Sequence, residues 1–452
     1  MNMKMNKRMP LAKAYDNDMD TFPRPKPWVK SLFAKKTMYV FLRLIVLFPT
    51  ALSAQNTGNN QPRPITLQQA IDTALKNNSS IRAANYSVDL QKALRRSAVN
   101  IDKTNITLSQ GQINSINYDN NLNVSQRFEY PTVYSNQLKL ADARIKGSQS
   151  QVEINKLNLA NNVKTTYYQL VYFINKRALF AVQDTLYNNL VRASTVRYRT
   201  GESTLLEKTT SEAQSLELKN RMQQNEIDIL IAQQQLQVLL NTNENITAAD
   251  TSITKREIQL PGDSSVIANH PMLKYLQQQI EINSRETDVQ KAKRLPDFLV
   301  GYTNQSFRGI QNVNGVNEKF AGLDRFNSFQ IGVAIPLLPG GSKSKIAAAK
   351  INERVAQENL AYEQTNLTGQ LNILLQQYYK YKSAIDYYEK TALPQADLII
   401  KNAEKGFRAG ELTYIQYQQS LAIALKIKTD YIESIFLYNQ STHAIESIIG
   451  IK

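Results

Sequence analysis

Arg197-Tyr-Arg-Thr-Gly-Glu202 and Gly406-Phe-Arg-Ala-Gly-Glu411 are two versions of one short turn, 209 residues apart in a chain of 452. Helices often end with a glycine in the left-handed conformation, so Gly201 and Gly410 predict the ends of two helices. The glutamate after each glycine predicts the start of the next helix, where a carboxylate meets the positive end of the helix dipole. The two turns therefore predict two helical hairpins with matching tips.

Other stretches of the two halves also match, and they follow the same order in both. They pair Ala74-Leu-Lys-Asn-Asn-Ser-Ser-Ile81 with Val266-Ile-Ala-Asn-His-Pro-Met-Leu273, Phe128-Glu-Tyr-Pro131 with Val333-Ala-Ile-Pro336, and Tyr167-Tyr168-Gln with Tyr378-Tyr379-Lys. Self-similarity over such a length indicates an internal duplication rather than chance likeness of helices. We expect a first repeat at residues 55–259 and a second at residues 260–452.

Each repeat predicts a helix, a strand pair, a very long helix and a return helix. The first helices are expected at residues 66–99 and 263–293, and the first long helix at residues 135–198. At 1.5 Å per residue this helix is about 90–100 Å long, so it must pack sideways against other helices. The second hairpin is expected at residues 342–405 and 412–449, with a kink or break at Pro394, which cannot donate a helical hydrogen bond.

The return helix of the first hairpin carries a regular apolar seam. Its spacing alternates between four and three residues, and six of its seven members are apolar: Leu218, Met222, Asn225, Ile229, Ala232, Leu236 and Leu239. This period is typical of an antiparallel or parallel coiled coil. The sequence therefore predicts a mainly α fold of long antiparallel coiled-coil hairpins with a small β part.

The strand pairs are predicted at residues 104–113 and 121–129 and at Phe298–Ser306 and Phe329–Ile335. The first pair flanks a polar loop, and the second flanks a Gly/Asn-rich loop at residues 307–327. Strands of about 9–11 residues are long enough to cross a bilayer. Four strands cannot close a barrel, and an open edge cannot face lipid, so several copies would have to combine. An ordinary soluble hairpin is the alternative.

Composition argues against most enzyme and metal-site classes. The chain has no Cys and two His, His270 and His443, so it has neither disulfides nor thiolate metal ligands. Its net charge is +16, and the excess is spread along the predicted helices without a recognition motif, which argues against nucleic-acid binding. We therefore expect no catalytic residues, no cofactor and no bound metal.

The N-terminal part predicts a secretory signal. Lys35-Lys36 precedes a short apolar run from Tyr39 to Phe48, and the small residues Ala51, Ser53 and Ala54 offer cleavage positions. Residues 1–54 are therefore interpreted as a signal peptide with an N-terminal extension. The start of translation is either Met1 or a position nearer Met38.

On these features the chain resembles the TolC-type outer-membrane efflux family over residues 64–450. The resemblance is carried by the two tip turns, by Leu295-Pro-Asp-Phe298 and by Phe329-Gln-Ile-Gly-Val-Ala-Ile-Pro-Leu337. It implies a homotrimer in the outer membrane with a twelve-stranded transmembrane β-barrel and helices that extend into the periplasm. It also implies a periplasmic adaptor and an inner-membrane pump as partners, with outer-membrane lipid around the barrel.

The resemblance assigns roles to individual residues. The tip turns would dock the adaptor through Arg197, Tyr198, Gly201, Glu202, Phe407, Arg408, Gly410 and Glu411. The periplasmic aperture would be lined by Glu207, Gln416 and Gln419, where two glutamines replace aspartates that some family members carry. The strand–helix junctions would be marked by Pro131, Pro296 and Pro336.

Within the family, Phe128-Glu-Tyr-Pro-Thr-Val-Tyr134 and Gly410-Glu-Leu-Thr-Tyr414 resemble the CzcC/CusC-like members that serve heavy-metal pumps. The implied function is the passive exit duct of a tripartite efflux system, with heavy-metal cations as the cargo. Drug efflux and type I protein secretion through the same duct are alternatives. A periplasmic coiled-coil scaffold without a pore is an alternative of another class.

Overall fold

The structure, a computed structural model, describes residues 62–113, 116–262, 264–338 and 340–451, so the predicted signal segment lies outside the described residues. The described part of the chain is mainly helical, with three small sheets. Its α-helices are α1 (Leu67–Asn77), α2 (Ser79–Arg96), α3 (Pro131–Arg199), α4 (Leu205–Leu240), α5 (Pro271–Ala292), α6 (Gly340–Tyr387), α7 (Leu393–Arg408) and α8 (Tyr414–Ile448).

The four expected strands are present and form one antiparallel sheet. The strands of the described residues are β1 (Arg63–Ile65), β2 (Asn105–Gly111), β3 (Asp119–Phe128), β4 (Ile246–Ala248), β5 (Asp297–Ser306), β6 (Gly309–Val313), β7 (Val316–Phe320) and β8 (Arg325–Ala334). The sheet order is β2-β3-β5-β8, so the two predicted strand pairs join through β3 and β5. Outside this sheet, β1 pairs with β4 in parallel and β6 pairs with β7 as a hairpin.

The longest helix, α3, has 69 residues and is therefore about 100 Å long. Pro131 is its first residue, where the missing N–H of proline costs nothing because that group has no helical partner. Helices α2, α4, α5 and α8 all pack against α3. Among the described residues, no helix combines the length and the apolar character that a membrane crossing requires.

The predicted seam of α4 packs against α3. Five of its seven residues are buried and Met222 and Leu239 are half-buried. The single polar member, Asn225, is buried, and its side-chain amide donates to the backbone oxygen of Phe173 on α3 at 3.0 Å. The amide donor of this polar residue is therefore satisfied across the helix pair, whereas its buried Oδ1 has no hydrogen-bond partner among the described residues.

Three sequence-based boundaries are wrong in detail. The helix expected at residues 263–293 is divided at His270 into a 3₁₀ segment, Ser264–Asn269, and α5. The helix expected at residues 66–99 is divided at Asn78, whose Oδ1 accepts from the backbone N–H of Ser80 and whose Nδ2 donates to the oxygen of Leu239. An asparagine that caps the second segment in this way favours a new helix start over continuation. The loop expected at residues 307–327 contains the β6–β7 hairpin, with Asn314 and Gly315 at positive φ in its turn.

The interruption expected at Pro394 takes the form of a wide helical turn. A π-helical segment, Tyr388–Ala392, follows α6, and Pro394 lies in the first turn of α7. Proline has no N–H for the carbonyl four residues earlier, and one extra residue in the turn accommodates that loss. The helical path therefore continues through the proline without a break.

The two largest hydrophobic cores among the described residues lie along the helices, and each is drawn from one half of the chain. The first lies between Ile65 and Ala248 in the sequence and includes the fully buried Tyr167 and Leu236. The second lies between Ile267 and Ile448. The half-buried Ile253, in the linker between α4 and α5, packs against both.

Candidate functional site

The four-stranded sheet has one apolar face. Residues directly opposite each other in an antiparallel sheet share a face, and one such row crosses all four strands at Ile106, Val124, Tyr302 and Phe329. The same face carries Leu108, Leu122, Phe128, Phe298, Val300, Ile331 and Val333. Phe329 and Ile331 are each 83% exposed, so the described chain leaves most of this face uncovered.

The opposite face is mainly polar, as the alternation in residues 121–129 predicts. Asn123 and Thr303 are directly opposite each other, and the amide of Asn123 donates to the hydroxyl of Thr303 at 2.9 Å. Ser125, Ser328 and Gln330 lie on this face as well. The sheet therefore separates an apolar surface from a hydrogen-bonding one.

The apolar face ends in polar side chains toward the loops. Asn304 donates to Asn327 Oδ1 at 2.6 Å, and the hydroxyl of Tyr302 donates to the same oxygen at 2.7 Å. The Arg325 Nε donates to Asn304 Oδ1 at 2.7 Å. The apolar side chains therefore form a band that covers only part of the strand length. A ten-residue strand such as β5 is about 33 Å long in total.

Both edges of this sheet are open within the described chain. Strand β2 pairs only with β3, and β8 pairs only with β5. Unpaired edge N–H and C=O groups are costly outside water and favour pairing with another chain.

The first tip turn is a Schellman motif. Gly201 has φ of +77°, and its N–H donates to Tyr198 O at 3.2 Å, while the N–H of Glu202 donates to Arg197 O at 2.8 Å. The next helix, α4, begins after Thr204, whose hydroxyl accepts from the N–H of Glu207 at 3.3 Å. The turn is therefore capped on both sides by its own residues.

The second tip turn repeats this geometry. Gly410 has φ of +78°, its N–H donates to Phe407 O at 3.2 Å, and the N–H of Glu411 donates to Gly406 O at 2.9 Å. Thr413 caps α8 by accepting from the N–H of Gln416 at 3.4 Å. The prediction of two matching helix turns is thus confirmed at atomic detail.

One sequence-based interpretation of the tips is wrong. Glu202 and Glu411 were expected to open the following helices, but each lies two residues before the capping threonine, outside the helix. The Glu202 carboxylate lies 4.0 Å from the guanidinium of Arg197 instead. Glu207, three residues after Thr204, is the acidic residue in the first turn of α4.

The two tips are held together by side chains. The guanidinium of Arg197 lies over the ring of Phe407, 5.5 Å from its centroid, and that ring stacks on Tyr417 at 4.6 Å. The hydroxyls of Ser211 and Tyr414, both buried, are 2.9 Å apart. Burial raises the pKa of Tyr414, so this hydroxyl keeps its proton at neutral pH. The second hairpin therefore docks against the first at the tips.

The residues predicted for the aperture occupy three positions near these tips. Gln416 folds back so that its Oε1 accepts from the N–H of Thr413 at 2.9 Å, which completes a capping box. Gln419 is exposed, and Glu207 is half-buried. Their role as an aperture needs a neighbouring copy and stays a prediction.

The three prolines predicted at strand–helix junctions lie at changes of element. Pro131 begins α3 after a two-residue connection from β3, Pro296 precedes β5, and Pro336 lies between β8 and α6. Tyr130, before Pro131, stacks on Phe298 with ring centroids 5.9 Å apart. Among the described residues, no three His, Asp or Glu side chains come together in a way that would hold a metal ion.

A buried charged cluster, which sequence reasoning missed, joins the two halves where the C-terminal end of α8 meets the middle of α3. The Lys164 ammonium of α3 lies 3.1 Å from the Glu446 carboxylate of α8, and the two side chains are 3% and 9% exposed. Arg256 of the linker lies 3.0 Å from the second oxygen of Glu446, and His443 Nδ1 donates to the first at 3.4 Å. Lys164 shares the helical spacing of the buried Ala160 and Tyr167, and this was the available signal.

The cluster sets the protonation of its own members. Burial raises the pKa of Glu446, but the hydrogen bond from His443 and the charges of Lys164 and Arg256 outweigh that effect and hold the pKa at about 2. Burial lowers the pKa of His443 despite the hydrogen bond to Glu446. At neutral pH the cluster therefore contains one carboxylate, two cations and a neutral imidazole.

Comparison with known proteins agrees with this architecture. No protein-family model matches the chain. Toxin and drug export protein A of Aggregatibacter actinomycetemcomitans is 22% identical over 336 residues, which cover 70% of this chain and 71% of that protein.

Solved structures match over most of the chain. The outer-membrane channel OprN superimposes with a TM-score of 0.73 at 13% identity and covers 85% of this chain and 90% of its own. CusC, whose structures concern transmembrane channel formation, gives 0.72 at 13% identity over 86% and 92%. The open-state MtrE outer-membrane channel of Neisseria gonorrhoeae gives 0.67 at 14% identity over 85% and 89%. The chain has the fold of these outer-membrane channels.

Proposed function

We propose that this chain is the subunit of an outer-membrane exit duct that serves an efflux system. The observation that supports this most directly is the four-stranded sheet, which has one exposed apolar face, one polar face and two open edges, and which continues into helices about 100 Å long. A bilayer satisfies the apolar face, and additional strands satisfy the edges. The helices would then extend the passage away from the membrane.

The arrangement of the edges supports assembly of several copies. Helices α2, α3, α5 and α6 pack side by side in the same order as strands β2, β3, β5 and β8. Helix α2 is therefore outermost on the side of the edge strand β2, and helix α6 is outermost on the side of the edge strand β8. Exposed apolar stripes follow both outer helices: Tyr86, Leu90 and Leu94 on α2, and Ile351, Val355 and Tyr362 on α6. Three copies would join their sheets into a twelve-stranded barrel.

The tips are proposed to dock a periplasmic adaptor that links the duct to an inner-membrane pump. Tyr198 is 40% exposed and Val196 is 58% exposed, so the first tip offers apolar as well as charged groups. Lysine at both Glu202 and Glu411 is expected to impair efflux without preventing trimer assembly. Normal efflux by that double variant would remove the docking role.

The aperture is proposed at Glu207, Gln416 and Gln419. Alanine at both glutamines is expected to raise single-channel conductance, because it shortens the side chains that would narrow the mouth. An unchanged conductance would show that the constriction lies elsewhere. The heavy-metal cargo inferred from the sequence stays a prediction, and drug efflux or protein secretion are the alternatives that a partner pump would distinguish.

The proposal is tested by planar-bilayer conductance of the detergent-purified mature protein, with its oligomeric state measured alongside. A trimer with a small, mostly closed conductance is expected of a gated duct. A water-soluble protein without channel activity would favour the alternative of a periplasmic coiled-coil scaffold without a pore.

A further inference from the structure

All helices that adjoin the four-stranded sheet reach it at the same end. The chain enters β2 and β5 and leaves β3 and β8 there, because Phe128 is opposite Phe298 and Asp297 is opposite Ala334. At the other end the strands are joined by loops and by the β6–β7 hairpin. The end of the sheet from which the helices depart is called the junction below.

The fold gathers cations at the junction that the sequence keeps far apart. Six exposed basic residues lie within a few residues of a strand or helix boundary there, on both sides of the sheet–helix transition: Arg96, Lys103, Lys293, Arg294, Lys343 and Lys345. Part of the positive charge expected along the helices is therefore grouped at this end of the sheet. The antiparallel register explains this grouping, because it brings the chain segments before β2, before β5 and after β8 to the same end of the sheet.

These six cations have no carboxylate partner within the described residues. Neighbouring basic residues do have partners: Arg95 lies 2.5 Å from Asp142, Lys291 lies 3.1 Å from Asp288, and Arg127 pairs with Asp297. The local carboxylates are therefore largely engaged elsewhere. Asp102 and Glu129 are the two others at this level, so the junction keeps an excess of about four positive charges.

Exposed apolar side chains lie among the six cations. Leu337 and Leu338 are 85% and 92% exposed, and they lie between β8 and the two lysines of α6. Val99, Ile101, Leu295 and Ile335 are also exposed at the junction. A surface that alternates long basic side chains with exposed aliphatic ones is typical of a membrane interface, where the aliphatic stems enter the lipid and the charges remain at the headgroups.

We infer that the junction binds the headgroups of anionic phospholipids in the leaflet from which the helices depart. This inference rests on the proposed membrane insertion of the sheet. Charge complementarity supports it, since a lipid phosphate supplies the anion that the six cations lack in the chain. Nucleic acid would satisfy the charges but not the exposed leucines, and the junction continues directly into the apolar face of the sheet.

The test compares three proteins reconstituted into phosphatidylcholine vesicles with 20 mol% phosphatidylglycerol. They are the wild type, a variant with Lys103, Lys293, Lys343 and Lys345 changed to Gln, and a control with Lys219, Lys390, Lys401 and Lys405 changed to Gln. The control lysines are exposed on the helices, away from the junction. Electron paramagnetic resonance of spin-labelled lipids measures the selectivity of the protein-contacting shell for phosphatidylglycerol over phosphatidylcholine.

We expect the wild type and the control to select phosphatidylglycerol about threefold at low salt, and the junction variant to show a ratio near one. Half-molar NaCl should lower the wild-type ratio because it screens exposed charges. An unselective wild type, or a junction variant that keeps the selectivity, would refute the inference. Loss of the trimer in the junction variant alone would also refute it, because the cations would then be pairing with a neighbouring copy.

Conductance in vesicles of pure phosphatidylcholine separates this inference from the proposed function. If the wild type conducts here but does not select phosphatidylglycerol in the mixed vesicles, the proposed duct stands and the proposed lipid site is refuted. If the wild type neither inserts nor conducts, both the proposed duct and the proposed lipid site are refuted.

Discussion

Replacing Glu446 with Gln perturbs the most deeply buried charge cluster of the described chain. The substitution keeps the size of the side chain but removes its charge. Lys164, 3% exposed, then has no anionic partner within reach, while Arg256 is exposed enough to turn toward solvent. A buried ammonium without its anion either remains charged at a large free-energy cost or gives up its proton.

The magnitude follows from two independent estimates. Breaking a buried ion pair by removing one partner costs about 3–5 kcal/mol. The depression of the Glu446 pKa from its ordinary value of 4.5 to about 2 corresponds to about 3 kcal/mol in favour of the charged, folded form. Glu446→Gln is therefore expected to destabilise the α3–α8 contact by at least about 3 kcal/mol.

Hydrogen exchange in detergent measures this locally, so it does not depend on two-state unfolding of a long helical chain. Amide protection in the segments around Lys164 and Glu446 should fall by about 100-fold or more. Lys164→Met should cost less, since Glu446 keeps Arg256 and His443. The double variant should recover part of the loss, because it leaves no unpaired buried charge on α3.

The matched control lies on the same helix. Lys426 and Asp430 form an ion pair at 2.7 Å with side chains 74% and 31% exposed, so Asp430→Asn should change protection by less than about 0.5 kcal/mol. A loss below about 1 kcal/mol in Glu446→Gln, or an equal loss in Asp430→Asn, would refute the reasoning that burial makes the cluster important.

Three further predictions concern the tips and the response to acid. Gly201→Ala should destabilise the first tip by about 1 kcal/mol because the backbone φ of Gly201 is +77°. The control Gly369→Ala, within α6 and with open space around it, should be neutral or stabilising. Hydrogen exchange at the turn measures the local effect, and thermal denaturation measures the effect on overall stability. Tyr414→Phe leaves the buried hydroxyl of Ser211 without this partner and should cost about 1 kcal/mol in thermal denaturation. The folded-state pKa of His443 lies below its ordinary 6.5, so its contribution to stability is complete above pH 6.5 and declines as the pH falls below that value. The contribution of Glu446 declines between about pH 4.5 and 2. In a plot of the denaturation midpoint against pH, His443→Gln should therefore remove the decline in the higher of these two ranges.

Local and periodic features of the fold were predictable from the sequence. The tip turns, the buried seam of α4 and the strand alternation depend on residues close together in the chain, and glycine conformation and helical period determine them. The wide turn before Pro394 also follows from a local rule, although the rule predicts an interruption without specifying its form.

Features that depend on distant residues were not predictable in the same way. Lys164 and Glu446 are 282 residues apart, and no spacing rule connects them. The junction cations occur in three separate stretches, and only the sheet register brings those stretches to one level. The edges of the sheet were not predictable for the same reason. Strand length predicts a sheet that crosses a membrane, but it does not identify which strands are at the edges.

The separation of the two largest hydrophobic cores has a consequence for the order in which the parts of the molecule fold. Every buried residue of the first core precedes Ala249, and the parallel pairing of β1 with β4 ties the beginning of that half to its end. The first helical hairpin can therefore complete its own core before the second half takes part in folding. The buried Lys164–Glu446 pair can form only once α8, the last helix of the described residues, has packed against α3. Late arrival of α8 thus makes this contact a natural last step of folding, and a truncated chain would lack it.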